Sequence, residues 1–175
     1  MSAENPILTY REIEFSWIRC EGKGSFLNSP LLKKWCDTEI DNGVLCVVVD
    51  LSACTGMDST FMGTLAGLAM RLMKRPRGTL QIAEPGEKNR KSLEDLGLDV
   101  LMSIEPEDAA WRHRLEHVRS HLKPYAEEER KPANAPEVLE AHRKLVEADE
   151  RNNEKFGTVL DFLEAEVKAK SEQGK

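Results

Sequence analysis

Three small polar residues, Asp58-Ser59-Thr60, interrupt the most apolar part of the chain, "VVVDLSACTGMDSTFMGTLAGLAMRLMK". A strand pattern leads into them and a long apolar helix pattern leaves. A hydroxyl at a helix mouth can cap the orphan N–H groups of the first turn, and the Asp58 or the Ser59 side chain could do so. It can also act as a nucleophile or accept a phosphoryl group. Acyl transfer needs a base beside the serine. The G-x-S-x-G frame of a nucleophile elbow is absent, because Met57 and Phe61 stand at the glycine positions, and Asp58 does not substitute for a histidine. The chain is therefore expected not to be an enzyme.

Other chemistry-bearing groups are weaker. His113, His117 and His121 step by four, a spacing zinc helices use, but Arg112, Arg114 and Arg119 crowd the same segment and oppose a dication. With no carboxylate or cysteine placed to complete a site, a solvated helix face is expected and no metal. "EPGEKNRKS" has one glycine and lacks Gly-Lys-Ser/Thr, so it reads as a loop opening a helix, with no cofactor expected. Cys20, Cys36, Cys46 and Cys54 contain no C-x-x-C pair and read as reduced structural thiols.

The elements that must position Ser59 follow from periodicity. "ILTYREIEFSWIRCEG" reads as one or two strands ending at Gly22, and Pro30 opens a helix that Asp41-Asn42-Gly43 stops. "VLCVVVDLS" is a continuous apolar strand of the kind covered on both faces. The apolar helix runs from about Ser59 to Lys74. "TLQIAE" is a strand, "KNRKSLEDLGL" a short helix, "DVLMSI" a strand and "EPEDAAWRHRLEHVRSHL" a helix. This alternation predicts an α/β domain with a mainly parallel or mixed sheet over 1–120. A proline-rich charged linker follows over 121–136. Over 137–170, an amphipathic helical extension carries His142, Val146, Asp149, Asn153, Phe156, Leu160, Leu163 and Val167 at the spacing of a coiled-coil seam. That seam is expected to pack within the chain on the sheet or a neighbouring helix, or to form a coiled coil with a second copy or a separate partner, with Asn153 setting register there.

Charge sets limits on partners. With 31 Asp and Glu against 25 Lys and Arg, the net charge is −6, which argues against nucleic-acid binding, where affinity rests on cations. No apolar run suffices to cross a bilayer, and "MSAENPILTYREIEF" lacks the basic and apolar regions of a secretory signal. Cytoplasmic residence without membrane insertion is expected.

The stretch "VVVDLSACTGMDSTFMGTLAGLAMRL" resembles the signature of the STAS domain, the sulfate transporter and anti-sigma factor antagonist fold. Asp50-Leu51-Ser52, Met57-Asp58-Ser59-Thr60, Gly63 and Leu65 fall at the family's positions, and the element order over 6–120 agrees. The resemblance implies a bacterial partner-switching regulator of transcription. Ser59 would be the residue phosphorylated by an anti-sigma factor kinase of GHKL type and restored by a serine phosphatase. The unmodified form would bind that anti-sigma factor and the phosphorylated form release it. Gly56, Met57, Asp58, Thr60, Phe61, Met62, Ser25 and Asn28 would surround Ser59 on the docking face. Phe61 stands where the family has glycine, and so would alter that face. Ser25 or Asn28 replaces the acid that the family places near the serine. The alternative that the resemblance leaves open is an unphosphorylated accessory subunit of a lipid or solute transport ATPase.

Overall fold

The computed structural model describes residues 5–125 and 131–174. Its main sheet has six strands: β1 (Ile7–Arg11), β2 (Ser16–Cys20), β4 (Cys46–Asp50), β6 (Thr79–Ala83), β7 (Ser103–Ile104) and β8 (Lys123–Pro124). Their order is β7-β6-β4-β2-β1-β8. β2, β4, β6 and β7 run parallel, and β1 pairs antiparallel with both β2 and β8, so the sheet is mixed.

β4 shows why a sheet covered on both faces needs an unbroken apolar strand. Val47 and Val49 point into the main core, while Val48 joins Phe15, Trp17, Ala83 and Trp111 on the opposite face. The first face is covered by α1 (Ser29–Asp41), α2 (Ser59–Met73) and α3 (Gly86–Asp95), which supply Leu32, Ile40, Phe61, Leu65, Leu72 and Leu93. Trp111 and Val118, on a 3-10 turn at Ala110–Arg114 and the short α4 (Leu115–Ser120), close the second. Trp111 Nε1 donates to Gln81 Oε1 at 2.7 Å, so the buried indole keeps a partner.

Three sequence expectations change. "EPEDAAWRHRLEHVRSHL" becomes helical only from Ala110, and "DVLMSI" holds a 3-10 turn at Leu98–Val100 with a strand only at Ser103–Ile104. A second sheet of two short parallel strands, β3 (Gly22–Gly24) and β5 (Cys54–Met57), was not foreseen. Strands of three and four residues containing Gly22, Gly24 and Gly56 carry no alternation to read.

The extension also differs. It comprises α5 (Ala135–Ala148) and α6 (Asn152–Gln173), folded back on each other, where the sequence suggested one continuous helix. Asn134 starts α5 with a capping box to Glu137 and a proline in the first turn. The break falls at Asp149, which leaves helical backbone and accepts from Arg151. Residues of the seam thus meet within the chain. His142 meets Phe156 edge-on at 5.3 Å, and Leu139, Leu160 and Leu163 form their own small cluster. Asn153 is exposed, whereas its neighbour Asn152 is buried and donates to the carbonyls of Leu96 (2.9 Å) and Leu145 (2.7 Å). In the stretch read as a linker, Lys123–Pro124 forms the edge strand and residues 126–130 lie outside the described residues.

Candidate functional site

β3 and β5 form the ledge that carries Ser59. Asp58 N–H donates to Gly24 O at 2.9 Å, joining the end of β5 to the end of β3. Asp58 then caps α2, with Oδ1 accepting from Phe61 N at 2.8 Å, while Oδ2 accepts from Phe26 N at 2.9 Å. One carboxylate fixes both the helix start and the loop beside it. Capping is thereby taken from Ser59, whose hydroxyl is left for other work.

That hydroxyl meets a residue far away in sequence. Ser59 Oγ lies 2.8 Å from His142 Nε2 on α5. His142 Nδ1 lies 2.7 Å from Val138 O, and a carbonyl can only accept, so Nδ1 carries a proton. In that tautomer Nε2 presents a lone pair and accepts from Ser59 O–H. The base that sequence reasoning found missing is supplied by the fold. An imidazole at that distance can accept a serine proton. Ser59 is half-buried and His142 only 4% exposed.

The expected docking residues separate. Gly56, Met57 and Asp58 are partly exposed along the ledge, beside Ser59. Thr60, Phe61 and Met62 are buried, which corrects their placement on an open face. Phe61 points inward against Gly24, because the first turn of α2 sits directly over β3. Ser25 and Asn28 are also buried, at 4% and 0% exposure. Asn28 Oδ1 accepts from Ser25 N, and its Nδ2 donates to Lys23 O at 3.0 Å. Both residues therefore shape the loop, and its tip projects Phe26 (45% exposed) and Leu27 (48%) near Asp58. The sequence reading passed over this apolar pair, although two large apolar residues in a Gly/Ser loop are themselves a signal.

Gly24 offers a test of this packing. A methyl added there would lie 2.8–2.9 Å from three atoms of the Phe61 ring. Gly24→Ala should cost about 1–3 kcal/mol in urea denaturation, the range for overpacking. Phe61→Leu in the same chain should recover part of the loss, a coupling that independent sites would not show.

Two features of the strand ends are structural. Asp50 is fully buried and accepts from Ser52 N (3.0 Å), Ser52 Oγ (2.7 Å), Trp17 Nε1 (3.2 Å) and Arg119 (3.3 Å). Burial works against the Arg119 charge, but the hydrogen bond and charge of Asp50, then those of Glu84, hold its guanidinium above the ordinary value. Cys54 opens β5. A hydrogen bond with Cys20 draws its thiol down to about 7 against the effect of burial, whereas burial alone pushes Cys46 up to about 11. None of the four cysteines is in a disulfide. His117 and His121 stack at 4.2 Å beside Tyr10, and no cluster among the described residues groups three metal-ligating side chains.

A mixed sheet packed under a buried helix thus presents Ser59 on the first turn of that helix. The STAS domain model matches residues 8–109, and the chain belongs to that family. Solved structures of similar fold include an anti-sigma factor antagonist from Mycobacterium paratuberculosis, 21% identical with a TM-score of 0.54, over 68% of this chain and 99% of that one. A proposed anti-sigma factor antagonist from Thermotoga maritima is 21% identical with a TM-score of 0.53, over 63% and 92%. Identity at this level supports the fold alone. No curated protein sequence matches. The family match ends before α5, so His142 is contributed from outside it.

Proposed function

We propose that this chain is a partner-switching regulator of the anti-sigma factor antagonist type. Its unmodified α2 ledge binds an anti-sigma factor kinase, and phosphorylation of Ser59 ends the complex. The observation that carries the reading is the division of labour at the helix mouth. Asp58 caps, and Ser59 is left half-exposed with its hydroxyl bonded to a base. The names of the solved neighbours support the class of partner.

The electrostatics suit a switch. A phosphate adds about −1.5 to −2 charges and three acceptor oxygens. At the N-terminus of α2 that charge meets the positive end of the helix dipole, so the host domain keeps its fold. Beside Phe26 and Leu27, the same charge would lie in the middle of an apolar contact and demand water. Moving a complex from 99:1 to 1:99 takes about 5.5 kcal/mol, within reach of burying an unpaired phosphate. In the transfer, Ser59 Oγ bonds to the nucleotide's terminal phosphorus, the bond to the leaving diphosphate breaks, and the hydroxyl proton passes to a base of the kinase.

The test is incubation of the purified chain with labelled ATP and lysate of its source, followed by peptide mapping. Label should fall on Ser59 and vanish in Ser59→Ala. Ser59→Asp should bind the partner retained by Ser59→Ala at least about 100-fold more weakly, or 2.7 kcal/mol. An unlabelled Ser59 together with copurification of a transport ATPase would favour the accessory-subunit role instead. Among the described residues no helix is long and apolar enough to cross a membrane.

A further inference from the structure

The face of α2 that a partner would use already has an occupant. α5 lies along it so closely that a methyl on Gly63 would sit 2.9 Å from Ala141 Cα and nearer still to its carbonyl. One turn further on, Gly67 faces the aliphatic stem of Lys144, at 3.4 Å from the same hypothetical atom to Cγ. Leu145 enters the main core with no exposed surface. His142, as described, holds the Ser59 hydroxyl.

We propose that α5 and α6 form a detachable cover, an intrachain competitor for the docking face. An external partner would replace it by laying an amphipathic helix, small-residue side down, along Gly63 and Gly67. This rests on the reading of the α2 ledge as the docking face. Three observations favour a cover over a fixed layer. The hairpin has its own apolar cluster, Leu139, Leu160 and Leu163 with Val138, Val146 and Val167 packed against it, so the two helices hold together when lifted. Its approach to the domain is held beside the site by a backbone bond, Ala133 N–H to Phe26 O at 2.7 Å, on the same exposed apolar tip that flanks Ser59. The seating of α5 is also incomplete. A cleft of about 340 Å³ opens between α1, α2 and α5, lined by Pro30, Gly63, Gly67, Leu68, Pro136 and Ala141. An entering helix has a place to start.

Full-length protein tests this without any partner. In native-state hydrogen exchange, amides of α5 and α6 should exchange together, at least about 100-fold faster than those of β4 and β6. In the Gly67→Cys/Lys144→Cys chain the oxidised form should lose that difference and recover it on reduction. Exchange of α5 and α6 only with β4, in wild type, would make them a fixed layer and overturn the proposal. A fluorescein-labelled peptide of residues 134–173 then probes the face. Leu145→Ala, which weakens the cover in cis, should bind the peptide about tenfold tighter than wild type, and the oxidised double-cysteine chain should not bind it. Equal binding by all three would overturn the competitor role. Should Leu145→Ala fail to fold by circular dichroism, His142→Ala serves the same comparison. These readouts do not involve phosphate, so their failure leaves the switch at Ser59 standing, and failure of labelling at Ser59 leaves the cover standing.

Discussion

Arg119→Ala should lower stability by about 3 kcal/mol in urea denaturation, although Arg119 lies at the rim of the domain and far from Ser59 in sequence. The reason is the carboxylate it leaves behind. Asp50 has no exposed surface, and among the described residues Arg119 is the cation paired with it. Removing one partner of a buried pair strands the other charge, which typically costs about 3–5 kcal/mol. Asp50 retains the Ser52 backbone N–H, the Ser52 hydroxyl and the Trp17 indole, which places the loss at the lower end of that range. Asp50→Asn should cost less than Arg119→Ala, since a neutral amide in the same place needs no cation. The double variant should cost less than the sum of the two, the sign of a shared interaction. The Asp-Leu-Ser signature thus has a mechanical meaning. Asp50 ends β4, ties the next turn through Ser52, and so sets where β5 departs toward Asp58.

Gly63→Ala should be the other large loss, again about 3 kcal/mol, and here the sign is the informative part. In a helix interior, alanine ordinarily improves on glycine by about 0.5–1 kcal/mol. At Gly63 that gain is overrun, because the added methyl meets the backbone of Ala141, which has no rotamer to change. α5 must move away from α2, and with it His142 from Ser59. Amide exchange should quicken across α5 while β4 stays protected. Gly157→Ala on α6 supplies the contrast. There the nearest atoms are the flexible amide of Asn153, at 3.4 Å and beyond, so the substitution should stabilise by about 0.5–1 kcal/mol. Equal losses at the two sites would mean that the close approach of α2 and α5 does not hold in solution.

Much of this molecule is written locally. The unbroken valines of β4, the proline that opens α1, Asn42-Gly43 at its end and the apolar run of α2 each dictate an element by their own stereochemistry, and each element forms where the pattern places it. Asp-Ser-Thr at the mouth of α2 marked the site for the same reason, since orphan N–H groups call for a short polar side chain at that position. A further clue lay in α2 being apolar nearly all round. A helix of that kind must be covered on every side, and the sheet and α1 cover only part of it.

What remained hidden depends on partners distant in the chain. Whether Asp58 or Ser59 caps α2 was decided by Phe26, whose N–H recruits the second oxygen of Asp58. Phe61 turned from a surface feature into core because β3 passes beneath it with Gly24 at the crossing. The seam through His142 and Leu160 was legible, but its fold into a hairpin was not, since the same spacing serves one long helix or two short ones. The placement of His142 against Ser59 across 83 positions of chain is the plainest case. Periodicity reports which face of an element is apolar, and only packing against a particular neighbour decides which polar group that face delivers.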